Sequence, residues 1–147
     1  MKKIITLLIF VLFLTGACRY EEGPGISLHS PSYRIIGTWQ LIHVYLNGEE
    51  ITKTEYTANV PGNYYYFYSD AILSVATFYN GMTNYSYYGK WKFQNKDKEL
   101  IIDLSLISKK YYYVATIKKL SRTELCYEYD DAAGNHWRLE MNSRSNG

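Results

Sequence analysis

Three histidines, two adjacent aspartates, two cysteines and 17 tyrosines are the side chains of this 147-residue chain most able to do chemistry. His43 and His136 fall on strand-like runs, and His29 lies in a polar stretch. If the first and last strands meet, His43 and His136 can approach each other, but no third ligand of obvious kind joins them, and a zinc centre needs three or four. Asp130-Asp131 precedes Gly134-Asn135. Paired carboxylates there can hold calcium, but in a turn they more simply cap the loop. The chain has no Gly-x-Ser-x-Gly elbow, no His-Glu-x-x-His and no phosphate loop. Without a base, a nucleophile or a metal shell, the expectation is a protein that is not an enzyme and has neither cofactor nor metal.

The tyrosines point to binding. They cluster as Tyr64-Tyr65-Tyr66-Phe67-Tyr68, as Tyr85, Tyr87 and Tyr88, and as Tyr111-Tyr112-Tyr113. On a strand, a run of three rings must put rings on both faces. Facing inward, Tyr66, Tyr68, Tyr87, Tyr113 and Tyr127, with Trp39 and Trp91, would line a pocket with apolar walls and a few hydroxyl anchors. These seven are the expected ligand-binding residues. Facing outward, Tyr65, Tyr88 and Tyr112 would make an aromatic surface for a protein or glycan partner. A third reading is that tyrosine serves here only as a good strand former.

The elements that must position these rings are strands. Successive runs are expected at Trp39–Leu46, Tyr64–Tyr68, Ile72–Tyr79, Tyr85–Phe93, Leu100–Leu106, Tyr111–Lys118, Glu124–Tyr129 and His136–Met141. Turn signals such as Asn47-Gly48 and Asn80-Gly81 separate them. Glu49–Tyr56 reads as a return strand or a lid. Apolar and polar residues alternate: Tyr85, Tyr87, Gly89, Trp91 and Phe93 share one face, as do Leu125, Tyr127 and Tyr129, and Trp137, Leu139 and Met141. One apolar and one wet face per strand, with short connections, describes a sheet rolled around one core. The expected fold is all-β, a single antiparallel up-and-down barrel of about eight strands. A lumen filled by Trp39, Trp91, Phe93 and Leu104 would leave no room for a ligand.

Two resemblances extend this reading. Met1-Lys2-Lys3, the apolar run Ile4–Leu14 and then Leu14-Thr15-Gly16-Ala17-Cys18 resemble the signal peptide and lipobox of bacterial lipoproteins, with the usual Leu displaced one position from the cysteine. The resemblance implies cleavage after residue 17, lipidation of Cys18 and a membrane contact through that lipid. Cys126 would then be unpaired. Arg19-Tyr20-Glu21-Glu22 resembles an outer-membrane export signal, so the expected address is the outer membrane, lipid-anchored, on its periplasmic face or the cell surface. Residues 18–34 read as a flexible tether and 143–147 as a polar tail. Loss of Lys2 and Lys3 takes the 16 basic residues to 14, matching the 14 acidic ones. That balance argues against nucleic acid as a partner.

Gly37-Thr38-Trp39 resembles the signature that opens lipocalins. Gly89-Lys90-Trp91, Leu100-Ile101-Ile102-Asp103-Leu104, Ile117–Leu125 and Asp130-Asp131 to Gly134-Asn135 follow in the order seen in the lipocalin-like domain of small Gram-negative lipoproteins. The resemblance covers residues 35–142 and implies a calycin-type barrel that binds a small apolar or amphipathic ligand.

Overall fold

The computed structural model describes residues 20–23, 27–51, 60–79, 82–106 and 109–144. The signal peptide, Cys18, most of Glu49–Tyr56 and the last residues of the tail lie outside the described residues. Helix α1 (Pro31–Ile35) precedes strands β1 (Gly37–Leu46), β2 (Glu49–Glu50), β3 (Tyr64–Phe67), β4 (Ile72–Tyr79), β5 (Met82–Gln94), β6 (Glu99–Leu106), β7 (Lys109–Leu120), β8 (Glu124–Asp130) and β9 (His136–Ser143). Every pairing is antiparallel, and β1 pairs with both β3 and β9. The eight strands β1 and β3–β9 therefore close, as expected, into an up-and-down barrel, with β2 a two-residue extension of β1.

Asn47 and Gly48, which join β1 to β2, have φ of 51° and 88°. Positive φ at both central residues is the backbone that an Asn-Gly hairpin turn requires. The pairing slips register at three places among the described residues: in β1, in β7, and between β4 and β5 at Thr77–Phe78. At the first, Leu41 and Val44 both point inward while Ile42 and His43 both point out. At the second, Ile117 and Leu120 point inward around the outward Lys118 and Lys119. Each of these two bulges lets a strand restore its apolar face after an extra residue.

The alternation read from β5, β8 and β9 holds at Tyr87, Trp91, Phe93 and the β8 and β9 positions, while the Tyr85 side chain lies outside the described residues. In β3 the alternation does not hold. Tyr65 and Phe67 are buried and face the core, Tyr66 is half-buried on the outer side, and Tyr68 is exposed. Expectation had Tyr66 and Tyr68 inside and Tyr65 outside. The correction follows from register: Tyr65 pairs with Trp39, and paired residues share a face. A run of five aromatic residues has no polar partner to mark its wet side, so pairing alone sets its phase.

One end of the barrel is shut. Ser30 caps α1, accepting from the Tyr33 amide at 3.2 Å. The helix then lays Ile35, fully buried, against this end. The Trp39 indole donates to the Ile35 carbonyl at 2.7 Å, and the Arg34 Nη1 donates to the Leu120 carbonyl at 2.5 Å. Trp91 meets Phe67 and Phe93 edge to face at 5.6 and 5.5 Å.

The expected free tether is also corrected in part. Tyr20 is only 4% exposed and donates to the Asp97 carbonyl. Glu22 takes a bidentate grip from Arg138, at 2.8 and 2.6 Å, and Glu21 pairs with Lys118. Opposite charges and one buried ring bind residues 20–22 to the barrel wall, against the composition of the stretch around them. All described elements and the whole described core lie within residues 20–144, so a chain starting at Arg19 contains the complete barrel.

Candidate functional site

The depth of the barrel is filled with side chains. Trp39, Trp91 and Leu104 are buried, and the half-buried Phe93 packs against this core. Space remains at the opposite end from α1, where β7 and the β8–β9 hairpin bound a cleft of about 230 Å³. Tyr111, Tyr113, Tyr129 and Trp137 form its aromatic wall, with Lys109, Lys110, Tyr112, Asp130 and Asp131 at its rim.

The wall is a stack. Tyr113 and Tyr129 lie face to face at 4.0 Å, and Trp137 continues the series at 6.4 Å from Tyr129. Tyr87 meets Tyr111 edge to face at 5.3 Å. Alternation along β7 puts Tyr111 and Tyr113 on one face, and Tyr129 shares a face with Trp137 because the two are paired in register. Behind the wall, the Tyr113 and Tyr127 hydroxyls bond at 3.2 Å. The Tyr65 hydroxyl lies beside this cluster, fully buried and without a hydrogen-bond partner of ordinary geometry among the described residues. Burial first, with neighbouring phenols adding, holds Tyr65 and Tyr127 well above the usual tyrosine range. Burial likewise raises Tyr113 and Tyr129. These groups stay neutral phenols, able to donate as well as accept.

Asp131 holds the rim. One carboxylate oxygen accepts from the Ala133 and Asn135 amides at 2.9 Å, the other from the Asn135 side chain and the Trp137 indole at 2.9 Å. These bonds, led by the one from Trp137, pull its pKa down to about 2. Asp131 is thus the loop cap of the pair. Asp130 faces His136 at 2.8 Å, while His43 pairs with Glu50 at 2.6 Å and sits opposite Glu140 in register. The two strand histidines have separate partners. Cys126 is 4% exposed, and burial pushes its thiol up to about 12, which removes the thiolate it would need as a nucleophile.

Of the seven residues expected to bind ligand, Tyr113 lines the cleft, Tyr127 lies directly behind it and Tyr87 touches its edge through Tyr111. Trp39 and Trp91 serve the closed end instead, and Tyr66 and Tyr68 are on the outer side. The sequence reading missed Tyr111, Tyr129 and Trp137 as site residues. For Tyr129 and Trp137 the signal existed, because both were placed on inward faces near the Asp130-Asp131 turn.

A family model described as a lipocalin-like domain matches residues 35–127. No curated protein matches the chain. The match spans the opening Gly37-Thr38-Trp39, the mid-chain strands and most of β8, and with the closed eight-stranded barrel it makes the chain a member of the lipocalin-like domain family.

Proposed function

We propose that this protein is a non-catalytic, lipid-anchored barrel of the bacterial outer membrane that binds a small apolar or amphipathic molecule at its open mouth. The observation that carries this reading is the stacked wall of Tyr113, Tyr129 and Trp137 beside a cleft of about 230 Å³. Flat rings favour a flat apolar partner, and the charged rim favours a polar tail or substituent on it. The cleft is smaller than a typical drug-sized pocket. It suits a ligand of one or two rings, or a short chain, lodged at the mouth and not deep in the lumen.

The test is saturable binding of an apolar fluorophore to residues 19–147. A ring contact is worth about 1 kcal/mol, so Tyr111→Ala should weaken binding about fivefold to tenfold while leaving the fold intact. Tyr88→Ala, on the outer face, should leave affinity unchanged. No saturable site in the wild type would sink the proposal. The alternative is a surface module for a protein or glycan partner. It draws on Tyr88 and Tyr112, which are 62% and 59% exposed, and it would be favoured if Tyr88→Ala alone abolished partner capture.

For the anchor, support comes from the lipobox-like Leu14–Cys18 and from the docking of Tyr20 two residues later. Cys18→Ala should leave an unprocessed, unacylated precursor. Normal processing and membrane fractionation of that variant would refute the anchor.

A further inference from the structure

The closed end has a second cleft, of about 470 Å³, that the ligand reading does not use. Tyr33, Arg34, Ile36, Thr38, Arg122 and Arg144 line it, and its lining contains no acidic residue. The Arg122 guanidinium sits 5.7 Å over the Tyr33 ring, and Arg144 is held against β1 by its amide, which donates to the Thr38 carbonyl at 2.8 Å. Among the described residues, neither arginine has an ion-pair partner. Arg34 is only 4% exposed. Its Nη1 is bonded to the Leu120 carbonyl, but its Nε is buried without a partner among the described residues. A buried guanidinium with an unused donor, flanked by two further arginines, is the chemistry that takes a phosphate.

The surroundings identify the source of that phosphate. Leu28, Tyr33 and Ile36 are 97%, 55% and 42% exposed at this same end. The Arg34 guanidinium lies 5.4 Å over the Tyr20 ring, so Tyr20 sits beside this cleft. Cys18 is two residues away. At ~3.3 Å per residue, a lipid on Cys18 would hold the closed end within roughly one headgroup layer of the bilayer. Exposed apolar side chains among arginines are what an anionic membrane surface receives.

We propose that the closed end is a membrane-docking face, whose arginine cleft takes the phosphate of an anionic phospholipid headgroup while Leu28, Tyr33 and Ile36 enter the interface. The barrel would then stand with α1 on the bilayer and its mouth turned away. The choice of a lipid headgroup rests on the anchor reading, but the binding itself is tested without lipid on Cys18.

The measurement is co-flotation of residues 19–147 with vesicles of phosphatidylcholine, alone or containing phosphatidylglycerol. Partition should require phosphatidylglycerol. The double variant Arg122→Glu/Arg144→Glu should lower it at least tenfold, since each basic residue near an anionic surface contributes about a fivefold factor. Lys110→Glu, at the opposite mouth, should leave it within about twofold. Fluorophore binding at the mouth should be unchanged in the arginine variant, which separates this proposal from the ligand reading. Equal partition to both vesicle types, or equal loss in Lys110→Glu, would overturn it. So would inorganic phosphate shifting the Arg122 and Arg144 resonances while no vesicle binds, which would assign the cleft to a soluble phosphate.

Discussion

Gly89→Ala should unfold the barrel or leave it severely weakened. A Cβ at this position would lie 1.8 Å from the Asp103 carbonyl oxygen and 2.8 Å from the Leu104 Cα. Both are backbone atoms of the paired strand β6, so no side chain can swing aside. Relief requires β5 and β6 to part where Gly89 faces Leu104, a fully buried core residue. Overpacking of a core costs ~1–3 kcal/mol when side chains can adjust; with backbone on both sides the expected loss is at least the upper end. Urea unfolding with a parallel measure of soluble yield checks it. A midpoint close to that of the wild type would show that the sheet relaxes at little cost. The same substitution at Gly48 would report something different, since its φ of 88° strains an alanine in otherwise open space.

Trp39→Ala should cost ~4 kcal/mol, within the range for deleting a large buried aromatic. Trp39 is 1% exposed, and its indole is the group that ties α1 to the closed end through Ile35. The substitution removes the ring, leaves a void among Ile35, Phe67 and their neighbours, and deprives a buried carbonyl of its donor. Trp39→Phe separates the two contributions. It keeps most of the apolar volume and loses the donor, so its cost should be ~1–2 kcal/mol. Equal losses in the two variants would mean that the hydrogen bond, not the ring, secures the end. Loss of α1 docking should appear in both as faster exchange of the Arg34 amide, which bonds the Ser30 carbonyl.

The sequence carried the strand count, the hairpin turn and most of the inward faces, for a common reason. In β6, β8 and β9 a polar residue separates most core residues, and a two-residue period needs only that contrast to be readable. Where contrast fails, so does the reading. Tyr64–Tyr68 has none, and its phase came from pairing with β1. The bulges that turn Ile42 and Lys118 outward are single inserted residues that no local period announces. The grip of Arg138 on Glu22 joins residues 116 positions apart, so residues 20–22 read as tether from composition. The cleft was harder still. That Tyr113 faced inward was legible, but whether an inward ring meets a packed core or open space depends on how many side chains fill the lumen above it. Trp39 and Trp91 share the inward direction of Tyr113 and meet only protein.

The order of the sheet has a consequence for how the chain is made. Neighbours follow one another along the sequence until β9, which returns to pair with β1 along Trp39 to Leu46. Until β9 is available, a growing chain can form every earlier hairpin and still expose two unpaired strand edges. Closure is thus the step of longest sequence separation, and the last that synthesis permits. A chain still lacking its final strand would remain an open sheet, with its aromatic inner faces exposed to water.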